Sequence, residues 1–457
     1  MVYVKKTAFR YDAGKYETLT EETVKDLIWR YCEEEAVREH ARLEKIRKEA
    51  EEKEGKPVKP PQVYVQLVNN AALAVRSRCR LPDATLPNTW LIDQPLFTGP
   101  PLAVSNGILD LSSRKLCLHT PDYFALTRLP VAFDAAAPQP AKFLSLLSEL
   151  SCGDPQWVAV MQEVFGACLD SGLAWKHFTA LTGESDTGKT VVLSVLRTLL
   201  GTGNYSAESL AQITTNRFGT FPLFGKLANI MGDENTFDRA NEGKLKALTG
   251  GDAVSFEEKH KTPFFGPNTA KVVFGCNTVP EFEDQSEGVW NRLLILPLKK
   301  VIPKERQRPE MLTAGFWADE LPGILNWSLD GLDRYRSNRG VTEAKAVVRA
   351  VKSHRADSDP ARRFLTENYY DPGDGEPMVS SEGPYAHYRN WFGKHGYDEK
   401  KYLLNSIAFG KRVRSVFKGA YAKAVRSGKR VVWTWIGFTT RMPRVGVETD
   451  DEQAAAM

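Results

Sequence analysis

The chain is poor in cysteine, and its cysteines are not arranged to bind or cross-link. Six thiols (Cys32, Cys79, Cys117, Cys152, Cys168 and Cys276) are scattered over 457 residues, with no C-x-x-C spacing among them. That excludes a zinc ribbon and a disulfide framework, and it fits the reduced thiols of a cytoplasmic protein. No run of 18 apolar residues occurs, so no membrane span and no membrane partner is expected. The N-terminus lacks an apolar core followed by small residues, so secretion is not expected either. No internal repeat is visible, which excludes solenoids and propellers.

Net charge is small, at +4, but its distribution is uneven. Residues 401–444 hold eleven Lys or Arg and no acid, whereas residues 445–457 hold four acids and no base. Apolar content of 42% and charged content of 26% are those of a globular protein with room for two to four domains. Residues 18–56 read as a helix, with Val24, Leu27, Ile28 and Tyr31 on one apolar face, and the helix ends at a Gly/Pro cluster. Around 86–135 the pattern is one of short strands, with Asn106-Gly107 as a hairpin turn signal. Residues 140–175 read as helical, and 176–300 as alternating strands and helices, an α/β pattern. Helices are expected again at 311–335 and 359–370, then a linker at 371–375.

The segment Gly183-Glu184-Ser185-Asp186-Thr187-Gly188-Lys189-Thr190 matches the phosphate-binding loop pattern. An apolar strand, Phe178 to Leu181, precedes it, and a helix from Val191 to Leu200 follows and stops at Gly201. Glycines let backbone N–H groups wrap phosphates, Lys189 is placed for the β- and γ-phosphates of ATP, and the Thr190 hydroxyl for Mg²⁺. Hydrolysis also needs carboxylates. The buried strand Leu227 to Gly232 ends in Asp233-Glu234, which assigns Asp233 to the Mg²⁺ shell and Glu234 to the attacking water. A third strand, Lys271 to Cys276, ends in Asn277, whose amide can bond both γ-phosphate and water. Arg292 stands just before the apolar run Leu293 to Leu298. A guanidinium reaching a neighbour's γ-phosphate would stabilise transition-state charge, and supplying it in trans requires a ring or dimer.

These four elements lie within 183–292, with Lys244-Leu245-Lys246-Ala247-Leu248-Thr249-Gly250-Gly251-Asp252 between the second and third. The set resembles the superfamily III helicases, and within them the phage/plasmid primase-helicase family, related to the poxvirus helicase-primase. Further matches are Phe218-Gly219, Leu223-Phe224-Gly225-Lys226, Leu321-Pro322-Gly323-Ile324-Leu325-Asn326-Trp327, and Asn106-Gly107-Ile108-Leu109-Asp110-Leu111. The resemblance implies an AAA+-like P-loop ATPase core with an N-terminal α+β domain, a helical collar, and a C-terminal winged-helix-like domain. It implies a homo-hexameric ring with ATP at subunit interfaces. It also implies translocation on single-stranded or forked DNA, usually 3′ to 5′, in a bacterial or phage-infected cell. A channel hairpin is implied at Ser255 to Phe265, offering Lys259, His260 and Lys261 to DNA. In residues 1–150 the chain departs from longer family members, because no metal-binding carboxylate pair or cysteine spacing of a primase is present; a separate primase, polymerase or initiator is the expected partner.

Domain boundaries follow: 1–135 for the N-terminal domain, 136–175 for the collar, 176–300 for the ATPase core, 301–371 for a helical connector, 377–444 for the basic domain, and 445–457 for a disordered acidic tail. In the basic domain Tyr385, Tyr388, Trp391 and Phe392 read as core on a helix. Lys411, Arg412, Arg414 and Lys418 lead a cationic series suited to DNA phosphates, and a strand runs from Val431 to Ile436. Two other readings share the P-loop. One is an ATP-switched initiator or helicase loader that binds DNA without processive unwinding; the other is a nucleotide kinase, which lacks a use for a 44-residue basic segment.

Overall fold

The apolar runs that flank the phosphate-binding loop can hide their backbone polar groups only by pairing with one another, and they do so in a single parallel sheet. The computed structural model describes residues 1–4, 7–49, 59, 61–234, 241–280, 282, 287–371, 378–380, 382–397, 399–427 and 430–440. The chain forms two compact units, Met1–Pro280 with Asn291–Val347, and Glu281–Trp290 with Val348–Met457.

The first unit opens with strands β1 (Val2–Val4), β2 (Thr7–Asp12) and β3 (Lys15–Leu19) and helices α1 (Glu21–Glu49) and α2 (Val65–Arg78). Short strands β4 (Thr89–Trp90), β5 (Pro101–Val104), β6 (Gly107–Asp110), β7 (Leu116–Cys117) and β8 (Tyr123–Phe124) follow. On α1 only Val24 and Ile28 are buried, and Tyr31, expected beside them, is 62% exposed. The partly buried Trp29 and Cys32 pack there instead. The β5–β6 hairpin turns one residue earlier than expected, at Ser105-Asn106, with Val104 paired to Gly107. Asn106 explains the shift, since its side chain bonds both backbone groups of Phe133 at 3.0 Å and so has to sit in the turn itself.

Helices α3 (Ala141–Leu150) and α4 (Pro155–Ala167) lead into β9 (Phe178–Thr182), α5 (Lys189–Leu200), β10 (Tyr205–Ser206), α6 (Leu210–Thr215), β11 (Ala228–Met231) and α7 (Glu242–Gly250). The hairpin strands β12 (Ala253–Phe256) and β13 (Phe264–Pro267) precede β14 (Lys271–Cys276). After α8 (Glu287–Trp290), which belongs to the second unit, come β15 (Leu293–Pro297), α9 (Ala314–Trp317) and α10 (Leu321–Asn338). The five-stranded sheet has the order β10-β11-β14-β9-β15 and is parallel throughout. Interior strand β9 is buried from Phe178 to Leu181, as a strand covered on both faces must be. One continuous core joins this sheet to α3, α4, α5 and α10 and to Leu102, Val104, Leu109 and Leu111 of the N-terminal strands.

Two expected boundaries therefore change. The β5–β6 strands share the core of the sheet instead of standing apart in a 1–135 domain, because their apolar side chains fill it. The expected 301–371 connector does not form one piece: α10 packs on α4 in the first unit, and the chain enters the second unit from Val348.

The α4–α10 crossing is close because glycines meet backbone. A Cβ on Gly166 would stand 2.4 Å from the Ser328 carbonyl oxygen, and one on Gly331 would stand 2.3 Å from that of Gln162. Buried Glu163 on α4 then binds Arg334 Nε of α10 at 2.8 Å and the backbone N–H of Thr342 at 2.8 Å.

The second unit contains most of α11 (Lys345–Asp357), then α12 (Pro360–Asn368), β16 (Tyr369–Tyr370), β17 (Met378–Ser380), α13 (Glu382–Lys394), α14 (Glu399–Tyr402), α15 (Ser406–Val416), β18 (Tyr421–Ser427), β19 (Arg430–Ile436) and β20 (Thr439–Thr440). Its antiparallel sheet has the order β17-β19-β18, so the first strand pairs with the last. An aromatic core of Phe364, Tyr388, Trp391, Phe392 and Phe409 joins α12, α13 and α15. The linker expected at 371–375, from residue 372 on, and the acidic tail 445–457 lie outside the described residues. Among the described residues no helix is long and apolar enough to cross a membrane.

Gly331→Val should destabilise the protein by about 3 kcal/mol, since the α4 backbone cannot yield to a side chain. Gly315→Ala, where an added Cβ meets nothing within 4 Å, should leave the urea midpoint unchanged or slightly higher.

Candidate nucleotide and nucleic-acid sites

In an open parallel sheet, ligands gather at the carboxyl ends of the strands, where neighbouring connections run to opposite sides. Here β9 lies between β14 and β15, while the chain after α5 goes to the far edge at β10. Gly183 to Gly188 form the loop that leaves β9, and Lys189 and Thr190 open α5. Two residues of the loop, Asp186 (φ 62) and Gly188 (φ 88), are left-handed, which bends the backbone into a cup. Gly183 is needed for a different reason: a Cβ there would sit 2.3 Å from the Leu298 carbonyl oxygen. The Thr187 hydroxyl donates to the Glu184 carbonyl at 2.9 Å and ties the loop to itself. Glu184, Ser185 and Asp186 are exposed.

Lys189 is 8% exposed and donates three hydrogen bonds. Its acceptors are the carbonyl oxygens of Gly183 at 2.6 Å and Glu184 at 2.7 Å, and Asn277 Oδ1 at 2.9 Å. Burial lowers its pKa from the ordinary lysine value, and the carboxylates of Asp233 and Asp186 work in the opposite direction. The register explains how Asn277 arrives there: Cys276 pairs with Thr182, so the residue after β14 faces the residue after β9. The sheet thus brings together side chains 88 residues apart.

β11 runs beside β14, with Met231 opposite Phe274, and this delivers Asp233 and Glu234 to the same edge. Asp233 and Thr190 are exposed. A carboxylate and a hydroxyl are the hard oxygen donors that Mg²⁺ accepts, with phosphate oxygens and water completing its shell, so these two residues fit the ion. Glu234 is placed differently. It is 4% exposed, its backbone N–H bonds the Gly275 carbonyl at 2.8 Å, and its Oε2 accepts from the Leu210 N–H at 3.1 Å. Burial raises its pKa, Asp233 adds to the rise, and the Leu210 N–H partly offsets it. The link to Leu210 has no signal in the sequence, because a backbone N–H is recognised through no residue type.

The structure does not bring Arg292 to this site. Arg292 precedes β15, whose first residue pairs with Phe178, and the Arg292 carbonyl accepts from the Phe178 N–H at 2.8 Å. It therefore stands at the amino end of the sheet, about 15 Å along β9 from the loop at a strand rise of roughly 3.3 Å per residue. Its Nη2 lies 3.8 Å from where a Cβ on Gly250 would stand, at the end of α7.

The expected hairpin is present as β12 and β13, closed by Phe256 opposite Phe264. Phe224, Phe256 and Phe264 pack their rings where the strands meet the connecting loop, at centroid distances of 4.8 to 5.5 Å. Lys259, His260 and Lys261 occupy its exposed tip, where His260 is left-handed (φ 67). The tip also carries acids: Lys261 pairs with Glu258 at 2.9 Å, and Glu257 with Arg217 at 2.6 Å. Phe265 is 67% exposed beside them.

In the second unit Lys411, Arg414 and Lys418 are exposed. Arg412 is not placed with them. It turns inward, with its Nε 3.2 Å from Asp359 Oδ2, and Asp359 also caps α12 by accepting from the Arg362 N–H at 3.0 Å. Because Asp359 is buried at 4% exposure, its pKa is raised, and the Arg412 charge opposes that rise. Arg412 is thus a structural ion pair, and its assignment to DNA phosphates is corrected. Tyr388, Trp391 and Phe392 are core, as expected, and Tyr385 is partly buried.

The fold and the loop define a P-loop protein of the α/β class. The family described as "Family of unknown function (DUF5906)" matches residues 181–292, the span that holds the loop, the acidic strand end, Asn277 and Arg292. The chain is similar to "Putative helicase L207/L206" of Acanthamoeba polyphaga mimivirus, at 25% identity over 50% of this chain and 26% of that protein. It is also similar to "Putative helicase 121R" of Invertebrate iridescent virus 3, at 22% identity over 52% and 28% respectively. "Putative helicase 022R" of Frog virus 3 matches at 23% identity over 46% and 24%. The chain therefore spans about a quarter of the length of these viral relatives. Its fold is similar to the A form apo structure of the NrS-1 C-terminal region, with a TM-score of 0.52 and 11% identity over 95% of this chain and 94% of that one. The chain is a distant relative of viral proteins named as putative helicases.

Because the folded state raises the Glu234 pKa, the folded protein holds that proton more tightly than the unfolded chain does. No penalty exists below the ordinary carboxylate pKa, where both states are protonated. The penalty grows as pH rises and is complete above the raised folded value. Glu234→Gln keeps an acceptor for Leu210 and removes the charge. The variant should melt higher than wild type at pH 8, and the difference should vanish as pH falls through the carboxylate range.

Proposed function

We propose that this chain is the motor of a DNA helicase, hydrolysing ATP in a hexameric ring and moving 3′ to 5′ on single-stranded DNA during phage- or plasmid-type replication. The observation that carries this reading is the separation of Lys189 and Arg292. One copy assembles the loop, Asp233, Glu234 and Asn277 at one edge of the sheet and holds its arginine at the other. A complete hydrolytic site then needs the arginine of a second copy, and rings of like subunits supply it at every interface. The strand order β10-β11-β14-β9-β15, with the P-loop strand between the sensor strand and the last strand, is that of an AAA+-like core and supports the same reading.

In this mechanism Lys189 exchanges its carbonyl acceptors for the β- and γ-phosphate oxygens, and Asn277 is released to the γ-phosphate and water. Thr190 and Asp233 would hold Mg²⁺, an ion that would supply positive charge against the phosphate oxygens. Glu234, on leaving Leu210, orients the attacking water. Arg292 of the neighbour stabilises the transition state. The β12–β13 tip, with Lys259, His260 and Lys261, grips the strand in the channel. Helices α12, α13 and α15 with the β17-β19-β18 sheet form a winged-helix-like domain, and Lys411, Arg414 and Lys418 are its phosphate contacts. A separate primase or polymerase would work beside it.

Lys189→Ala and Arg292→Ala should each abolish DNA-stimulated ATPase. Mixed at equal amounts and allowed to exchange subunits, they should regain about a quarter of the interfaces, since each needs one intact partner of each kind. Mixed rings with no recovery at any ratio would remove Arg292 from the site. Hydrolysis without displacement of an annealed strand would point to an initiator or loader.

A further inference from the structure

Trp433 is 60% exposed on β19, although tryptophan is a residue whose bulk is ordinarily buried. It lies two residues from Trp435, so both rings project from the same face of the sheet. On β18 their opposite residues are small, with Ala424 across from Trp433 and Ala422 across from Trp435. Trp435 is covered in other ways: its ring lies 3.3 Å from where a Cβ on Gly410 would stand, and the Arg414 guanidinium sits 5.4 Å from its centroid. Beside these rings is an open groove of about 490 Å³, lined by Tyr385, Arg389, Ser406, Ala422, Trp433 and Trp435. That volume falls within the roughly 300–1,000 Å³ of small-ligand sites.

We infer that this groove binds an unpaired nucleotide of a single strand, with its base stacked on Trp433 and its phosphate on Arg389. The chemistry of the walls selects this occupant. An indole face left open beside a guanidinium matches a base and its phosphate, since every base has a π-face and every nucleotide a charge. Charge favours an anionic occupant: Arg389 lines the groove and the Arg414 guanidinium stands by Trp435, and no acid occurs in residues 401–444. Duplex DNA does not satisfy the groove, because its bases are already stacked. The second unit would then hold a single strand by stacking, which is distinct from the phosphate contacts assigned to Lys411, Arg414 and Lys418. The inference rests on the nucleic-acid reading of the protein, and its test separates the two.

The full-length protein is titrated against an oligo(dT) single strand carrying one 2-aminopurine and against a blunt duplex, without nucleotide. Wild type and Trp433→Phe should quench the 2-aminopurine on binding. Trp433→Leu should not, and should bind the single strand roughly 10-fold more weakly, as stacking on one aromatic requires. Duplex affinity should be the same for all three. Arg389→Ala should lower the salt dependence of single-strand binding by about 0.7 in slope, one contact. Unchanged melting of Trp433→Leu would show that the loss is local. Equal single-strand affinity of Trp433→Leu and wild type overturns the groove assignment and leaves it to a peptide, while the motor reading stands if DNA still stimulates ATPase. An equal loss on duplex also overturns it. Wild type that binds neither DNA overturns both.

Discussion

The ammonium group of Lys189 is the fixed point of the first unit. A charge at 8% exposure has to be satisfied, and its three acceptors come from the first two residues of the loop beyond β9 and from the residue that follows β14. Each hydrogen bond to a charged group contributes about 1.5–3 kcal/mol, so the carboxyl edge of the sheet is pinned where the loop leaves it. The parallel register does the rest. It sets Asn277 against Gly183 and brings Asp233 and Glu234 along β11 to the same line. On the reading proposed above, phosphate oxygens would replace the protein's own acceptors at Lys189, an exchange that costs less than exposing a bare charge.

Glu234 shows the opposite balance. Burial holds its carboxyl above the ordinary range, and the Leu210 N–H partly compensates. A group kept this way lowers stability at neutral pH, and a carboxyl so perturbed at a strand end is a candidate reactive group. Glu163 is as buried but has Arg334 and Thr342 around it, and it joins α4 to α10. The pair shows how the same residue type is either a structural tie or a candidate reactive group, depending on how many donors surround it.

Much of the first unit was legible in the sequence, because its signals are local. A glycine-rich loop between an apolar strand and a helix, and polar residues at strand ends, need no tertiary information to be recognised. The β12–β13 hairpin was placed by its order between the acidic and sensor strands. Register and partnership were not legible. Nothing near Tyr31 says that Trp29 and Cys32 would take the buried face. The Asn106 side chain shifts its turn by bonding Phe133, 27 residues away. Arg412 and Arg414 are two residues apart on one helix, yet one meets buried Asp359 and the other faces outward. The 301–371 span reads as one helical connector, but the glycine contacts that bind α10 to α4 become visible only when the backbones are seen to cross.

The placement of Arg292 across the sheet from its own loop bears on how such an engine would be switched on. On the reading in which the arginine serves a neighbour, the number of working sites equals the number of interfaces. A closed ring has as many as it has members, an open chain has one fewer, and a lone copy has none. Catalysis then follows mass action: dilution silences the protein, and anything that gathers copies, a DNA strand included, awakens it. An isolated chain in the cell would leave the nucleotide pool untouched until it had company.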